Sequence, residues 1–548
     1  MRLHMLSSLV LLLVVLIVAA RADHPKAADP AAPSPADLVE LMVDLGDHEM
    51  KITTDVPQAQ QYFNQGLRLT YGFNHDEARR AFRAAAHLDP ECAMAWWGIA
   101  LTLGTNYNMP MDEEMGKAAF AAEQKALALS AAVSEKERDF IEALKPRYAD
   151  PPPVERKALD EAFAAAMGKL AEKYPDDVDA AVLYAEAMMD LRPWELWTPD
   201  GQPQPGTELI LKTLEDVLAK APNHPGANHY YIHAVESAQP EKGIAAAERL
   251  AKIAPGAGHL VHMPAHIYFR VGRYNDASKA NEAAIAADEA YIAKYKPQGI
   301  YPMMYYPHNV HFLWAAATME GRSQVAIDAA TRTSKLIPDM MVKEMPMVEA
   351  FVPTRLFALV RFKKWDEILA EPAPNAEFRY ATGMWHYARG MAFAAKGEID
   401  KAKQEHQRLV EIAQATPQDQ MAMQHKAADL LNIAVNHLDA TLLANTNQDD
   451  AAAQKLRDAV AQQDALRYDE PPPWYMPMRQ ALGDQLLKMN QPAEAEQAFR
   501  KDLEVYPENG WSLAGLERSL RAQVRNDEAD AVHKRFEQAW SQADYKPY

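Results

Sequence analysis

From Gln58 to about residue 540 the chain is rich in alanine and other helix formers, broken at proline-containing turns, with almost no β-branched alternation. That pattern leaves room for helices and none for a sheet. Within it, small and aromatic residues return at a fixed interval. In QYFNQGLRLTYGFNHDEARRAFRAAAHLDP they stand at Tyr62, Gly66, Ala78, Phe82, Ala85 and Pro90, and counting on from Pro90 brings Trp96, Ile99, Ala100 and Leu103 into the same register. Pro175, Pro222 and Pro255 close further units. A unit this short cannot bury its own apolar face, so successive units must stack on one another.

The spacing resembles the tetratricopeptide repeat, about 34 residues folded as two antiparallel helices. In the unit GHLVHMPAHIYFRVGRYNDASKANEAA, Ala265, Tyr268, Gly272, Tyr274, Ala277 and Ala284 take repeat positions 8, 11, 15, 17, 20 and 27. Later units are anchored by Gly321 and Ala326, by Trp365, by Gly390, Gly397 and Ala402, and by PAEAEQAF before Pro507. The resemblance implies an all-α fold, a tetratricopeptide-type helical-hairpin superhelix (α-solenoid) running as a single continuous array over residues 58–548. Two insertions interrupt the period, Asp190 to Glu208 and Lys294 to His308, both rich in Pro and aromatic residues. Each is expected to act as a lid or as a packed cap.

Ahead of the array, residues 1–22 read as a secretory signal peptide. Arg2 precedes the apolar run Leu9 to Ala20, and Ala20-Arg21-Ala22 supplies the cleavage site. Residues 23–57 read as an extended linker, rich at first in Pro, Ala and Asp. No later stretch is long and apolar enough for a membrane span. The expected location is periplasmic or secreted, and the lone cysteine, Cys92, excludes an internal disulfide framework there. A formal net charge of −19 speaks against nucleic acid and anionic lipid as partners.

Eight of the 18 histidines fall between His224 and His311, in a His-rich centre at about 178–330. His229 and His233 are four apart, as are His262 and His266, so each pair stacks two imidazoles on one helical face. The pairs themselves lie 33 residues apart. In repeat numbering His229, His262 and His311 hold position 5, and His233, His266 and Glu186 hold position 9. Glu236 holds position 12, and His259 and His308 hold position 2. Positions 2, 5, 9 and 12 form one stripe about 130° from the core stripe. The histidines are therefore expected outside the core, on the concave face where tetratricopeptide repeats bind ligands.

Adjacent hairpins pack about 10 Å apart, close enough for imidazoles from both to share an ion. The expected metal ligands are His229, His233, His262, His266 and His311, with His259 and His308 as a secondary site or as orienting groups. Glu186 and Glu236 are the candidate general bases. Arg192, Trp194, Trp197, Tyr230 and Tyr268 are the candidate substrate contacts. Imidazole with carboxylate suits Cu, Zn, Fe or Mn, and Met188, Met189, Met263, Met303 and Met304 keep copper open. His75, His87, His224 and Cys92 read as structural.

Three functions remain compatible with this pattern: a metalloenzyme, a metal-binding or delivery protein, and a scaffold whose groove of neutral histidines and tyrosines holds a peptide or small molecule. No phosphate loop, His-Glu-x-x-His or nucleophile elbow occurs. The run DLRPWELW and the histidine blocks resemble a group of exported bacterial tetratricopeptide proteins with His-rich repeats, a likeness that implies export and no particular activity.

Overall fold

The computed structural model describes residues 37, 38 and 40–547. The signal-peptide segment and most of the proline-rich stretch after it lie outside the described residues. Helices dominate, and among the described residues one two-stranded ribbon pairs Met421–Ala422 with His425–Lys426. Sequence-adjacent helices pack on each other along the chain, as in Pro57–Tyr71 on His75–Leu88 and Met478–Lys488 on Pro492–Val505. None of the described helices is long and apolar enough to cross a membrane.

One packing rule recurs at 32-residue spacing. Phe82 sits between Gly66 and Gly98, and a Cβ built on either glycine would fall within 2.7 Å of the phenyl ring. Phe499 sits in the same way between Gly483 and Gly515, where a Cβ would approach to 2.4 Å or less. Glycine is a poor helix residue, worse than alanine by about 1 kcal/mol. It is kept at these positions because the ring of one helix fills the space that a side chain on the neighbours would need. This is the small-residue and aromatic alternation of tetratricopeptide hairpins. Gly98→Ala is expected to cost about 1–3 kcal/mol net through overpacking against Phe82, despite the better helix propensity. The urea midpoint, at unchanged helicity, reads that loss.

The described residues gather into two compact units. One is drawn from Ala22–Ile267 and Glu282–Tyr306, the other from Tyr268–Asn281 and Pro307–Tyr548. In the first, residues 40–56 run without helix along the hairpins and are tied down by side chains. The Met42 and Ile52 amides donate to Gln65 and Gln60, the Thr53 amide and hydroxyl donate to Glu137, and Arg68 donates to the His48 carbonyl. Those bonds satisfy backbone groups that a helix would otherwise have paired internally.

The first insertion and residues 294–306 of the second belong to that same unit. In the first, a bridge between Trp197 and Pro203 closes a loop, and the Trp197 indole donates to the Ala234 carbonyl at 2.8 Å. In the second, Tyr301–Tyr305 forms one π-helical turn. The Tyr301 hydroxyl there accepts the His259 amide and donates to Asp288. In the other unit, Phe357 stacks on Tyr475, Trp474 packs on Tyr387, and Arg361 lies 3.6 Å from the Trp511 ring centre.

Candidate metal centre

The helix Pro225–Val235 carries the first histidine pair. Pro225 starts it and His224 caps it, the His224 Nδ1 accepting from the Ala227 amide. A ring whose Nδ1 accepts must carry its proton on Nε2, and that N–H points at Asp179 Oδ1, 3.2 Å away. Asp179 also takes the Tyr71 hydroxyl at 2.6 Å and His48 Nε2 at 2.8 Å. His48, Asp179 and His224 are close enough together to suggest an ion site. The fixed tautomer of His224 removes its lone pair from that centre, so this cluster is a structural polar knot.

Every residue of the Pro225–Val235 helix is buried. Buried histidines must be satisfied or must be waiting for a partner. His229 Nδ1 donates to the Tyr71 carbonyl at 2.6 Å, an acceptor left over at the last residue of the helix Pro57–Tyr71. His233 Nδ1 donates to Glu236 Oε1 at 3.0 Å, and His266 Nδ1 donates to Glu236 Oε2 at 2.5 Å. All three rings thus carry their proton on Nδ1 and offer Nε2 as an acceptor. That is the tautomer a metal-ligating histidine adopts when a carbonyl or carboxylate holds its other nitrogen.

Two of these nitrogens accept from other imidazoles: His259 Nε2–H donates to His229 Nε2 at 3.1 Å, and His262 Nε2–H donates to His266 Nε2 at 2.8 Å. Two nitrogens each about 2.0–2.1 Å from one ion, at angles between octahedral and tetrahedral, lie about 2.9–3.4 Å apart. His233 Nε2 has no hydrogen-bond partner, and neither has His259 Nδ1. One nitrogen each from His229, His233 and His259 lie within 4.8 Å of one another, as do donor atoms of His233, Glu236 and His266. The His262 and His266 rings adjoin this set, at 5.9 Å from His259 and 5.7 Å from His233.

Electrostatics keeps the imidazoles in the ligating form. Burial pushes His229 and His259 well below the usual histidine range, helped by neighbouring histidines, and lowers His233 against the pull of Glu236. Burial also raises the Glu236 carboxyl, but His266 and His233 outweigh it and hold it at about 2. A buried carboxylate between two imidazoles is a fixed negative charge that suits a cation nearby.

The histidines are deep inside the unit, which differs from the expected open concave stripe. His229 and His262 are 0% exposed, and His233 and His259 are 3% exposed. Aromatic groups from the connections cover them. Phe73, held at a left-handed φ of 54°, sets its ring 4.5 Å from His229, 6.0 Å from His233 and 5.8 Å from His259. Tyr107 lies 5.2 Å and Trp194 5.7 Å from His233, while Tyr305 lies 4.7 Å from His259. The repeat stripe is turned away from the hairpin core, and inserted loops with their own rings bury it a second time.

The other sequence-derived residues fall in several places. Glu186 is buried beside Asp190. Burial pushes Glu186 up to about 7 against the Arg147 charge, and burial together with Glu186 raises Asp190 well above the carboxylate range. Arg147 contacts Asp190 at 3.2 Å. Glu236, and not Glu186, is the carboxylate that stands with the histidines among the described residues. Tyr230 is buried between Phe73 and Tyr71, Trp194 stacks on Tyr107, and Arg192 is exposed. Tyr268, His308 and His311 belong to the other unit. There the Arg273 guanidinium lies over Tyr268, His308 packs on Phe312, and His311 packs on Trp314 and Phe351. The Tyr71 carbonyl, Phe73 and Tyr107 carried no signal as site residues, since only their contacts across the fold give them a role.

No protein-family model matches the chain, and comparison with curated proteins found no match. Among solved structures, a human IFIT1 dimer with m7Gppp-AAAA aligns over 89% of this chain and 91% of its own, at 13% identity and a TM-score of 0.33. The APC/C hetero-tetramer Cut9-Hcn1 aligns over 84% of this chain and 76% of its own, at 13% identity and a TM-score of 0.30. At such values neither carries an argument about the site, whose reading rests on its own geometry.

Proposed function

We propose that this is an exported tetratricopeptide-type protein that binds a transition-metal ion through His229, His233 and His259. Glu236 fixes the His233 and His266 rings, and the adjoining His262–His266 pair extends the donor set. One observation carries the reading: His233 has its Nδ1–H held by Glu236 and its buried Nε2 without a hydrogen-bond partner, and one nitrogen each from His229, His233 and His259 lie within 4.8 Å of one another. A core histidine that only packs would be satisfied at both nitrogens or would expose one to water. Borderline nitrogen donors with one carboxylate nearby suit Zn, Cu, Fe or Mn over Mg or Ca. Export is read from the N-terminal sequence alone, and cell fractionation tests it.

Catalysis is a second reading, favoured by the Glu186–Asp190 pair. Burial raises both carboxyls beside the Arg147 guanidinium, Glu186 to about 7, which is the range a general acid or base requires. Tyr107 packs against His233 of the histidine cluster, and its hydroxyl feels the charges of both Glu236 and Asp190.

The test of the metal reading is elemental analysis of protein purified without an affinity tag, followed by titration of the chelated apoprotein with Zn(II) and Co(II). Uptake of at least one equivalent, with a Co(II) spectrum typical of nitrogen ligation, is expected. Absence of uptake by either ion would leave the cluster as a buried hydrogen-bond network and remove the proposal.

A further inference from the structure

An ion can reach His229, His233 and His259 only through what covers them, because none of the three is more than 3% exposed. Four rings from the connections make that cover, and they are not equivalent. Phe73, Tyr107 and Tyr305 are themselves sealed, at 1%, 3% and 7% exposure. Trp194 is half-buried, and its neighbours Leu191, Arg192, Pro193 and Glu195 are exposed. Its ring meets His233 edge-on at 5.7 Å, and His233 carries the Nε2 that has no partner. The Trp194 indole is thus the thinnest part of the wall, with water on one side and the cluster on the other.

The strip that carries Trp194 is fastened at its ends and latched in its middle. Upstream, the buried Arg147 guanidinium meets Asp190 at 3.2 Å and also donates to the Thr105 carbonyl. Downstream, the Thr207 hydroxyl donates to the Leu196 carbonyl at 2.6 Å, and the Trp197 indole to the Ala234 carbonyl at 2.8 Å. Between those points the backbone bonds are local to turns, from Arg192 to Met189 and from Glu195 to Arg192. The latch is Asn108. An indole N–H can only donate, which fixes the amide with Oδ1 toward Trp194 Nε1, at 3.2 Å, and Nδ2 toward the Tyr305 hydroxyl, at 3.4 Å. One amide therefore joins a ring from each insertion. Its own turn holds it still: Asn106 and Met109 exchange both backbone bonds, and the Asn108 backbone N–H donates to Asn106 Oδ1 at 2.9 Å. Both latch bonds are long and partly exposed, whereas the upstream anchor is buried and the downstream bonds are short. The middle of the strip is the part that opens first.

We propose that Leu191–Glu195 is the gate of the metal cluster, with Trp194 as its closing ring and Asn108 as its latch. The inference rests on the metal reading above and adds the route by which the ion comes and goes. Moving Trp194 off His233 uncovers the nitrogen that lacks a partner, while the anchors at Asp190 and Leu196 keep the strip in place. Asn108 acts on the gate and supplies no ligand. Loosening it therefore raises uptake and release by the same factor and leaves the affinity unchanged. In a static cap the latch would have no such effect on rates.

The probe is Co(II), added to the chelated apoprotein of the full chain and then withdrawn with excess chelator while its visible absorption is followed. Asn108→Ala is expected to speed both uptake and release about tenfold, equivalent to about 1.4 kcal/mol of latch, with Kd within about twofold of wild type. Trp194→Phe, which keeps a ring and loses the indole N–H, is expected to speed uptake as well. In metal-free Asn108→Ala, hydrogen exchange of peptides covering 190–198 should quicken while those covering 225–235 keep the wild-type rate. Faster release with weaker Kd and unchanged uptake would mark a merely structural loss and overturn the proposal, as would wild-type rates in both variants. Either result in a protein whose wild type takes up Co(II) leaves the metal reading standing, whereas a wild type that takes up none removes both. If Asn108→Ala does not fold, the uptake rate of Trp194→Phe decides.

Discussion

His233→Ala is expected to weaken Zn(II) or Co(II) binding by at least about a hundredfold and to leave the helical content at the wild-type level. The ring supplies the one Nε2 in the cluster that has no partner, while its Nδ1 is already held by Glu236. Removing it deletes a ligand outright. Glu236→Gln should act more gently, by about 10–100-fold, because the amide keeps the shape but loses the charge that orients two imidazoles. The ordering matters more than either value. If Glu236→Gln abolished binding and His233→Ala did not, the carboxylate would be the ligand and the histidines its support. The variants are compared by isothermal titration, with the thermal midpoint of each apoprotein as control for a collapsed cavity. His233→Ala leaves a cavity and one Glu236 oxygen without its donor, and Glu236→Gln leaves two buried imidazole N–H groups with a weaker acceptor, so both midpoints are expected to fall modestly.

Acid should unfold the metal-free protein early. Burial drives His437 down to about 4, with the Arg361 charge assisting, and His437 Nδ1 bonds the Tyr387 hydroxyl at 2.8 Å. Burial also drives His75 down to about 4. In the unfolded chain both titrate near 6.5. Between those values the unfolded chain binds more protons than the folded one, so stability rises with pH. Their contribution is complete above about pH 6.5 and is lost as pH falls toward 4. Each imidazole removes about 1.4 kcal/mol per pH unit inside that window. Going from pH 7 to pH 5, each removes about 2 kcal/mol from the unit that holds it by the same relation, a sizeable share of a domain's margin. Urea midpoints at the two pH values measure it. His437→Gln keeps an acceptor for Tyr387 and cannot titrate, so its pH slope should be flatter by about 1.4 kcal/mol per unit. An equal slope would show that His437 is not held neutral.

The hairpin architecture was legible because its determinants are local and periodic. Gly66, Phe82 and Gly98 recur as Gly483, Phe499 and Gly515, and small-against-aromatic packing at that interval has one common solution. The repeat positions of His229, His233, His262 and His266 likewise put their rings on one stripe. What the stripe meets was not legible. Its expected exposure assumed that only the first helices of the hairpins lined it, whereas Phe73 arrives from a hairpin turn, Tyr107 from a connection, and Trp194 and Tyr305 from the insertions. His259 was assigned a supporting place at position 2, and it stands 3.1 Å from His229 and within the same group as His233. The anchor of His229 is a carbonyl 158 residues earlier in the chain. A backbone acceptor has no residue signature, so no reading of side-chain types could have supplied it.

The most direct measurement is anomalous diffraction from crystals of the metal-loaded protein, collected on both sides of the bound metal's absorption edge. The account predicts a peak about 2.0–2.2 Å from His229 Nε2, His233 Nε2 and a nitrogen of His259, with Glu236 still bonded to the Nδ1 of His233. A metal-loaded crystal whose only anomalous peaks lie on surface carboxylates, with the three imidazoles unmoved and hydrogen-bonded among themselves, would contradict it.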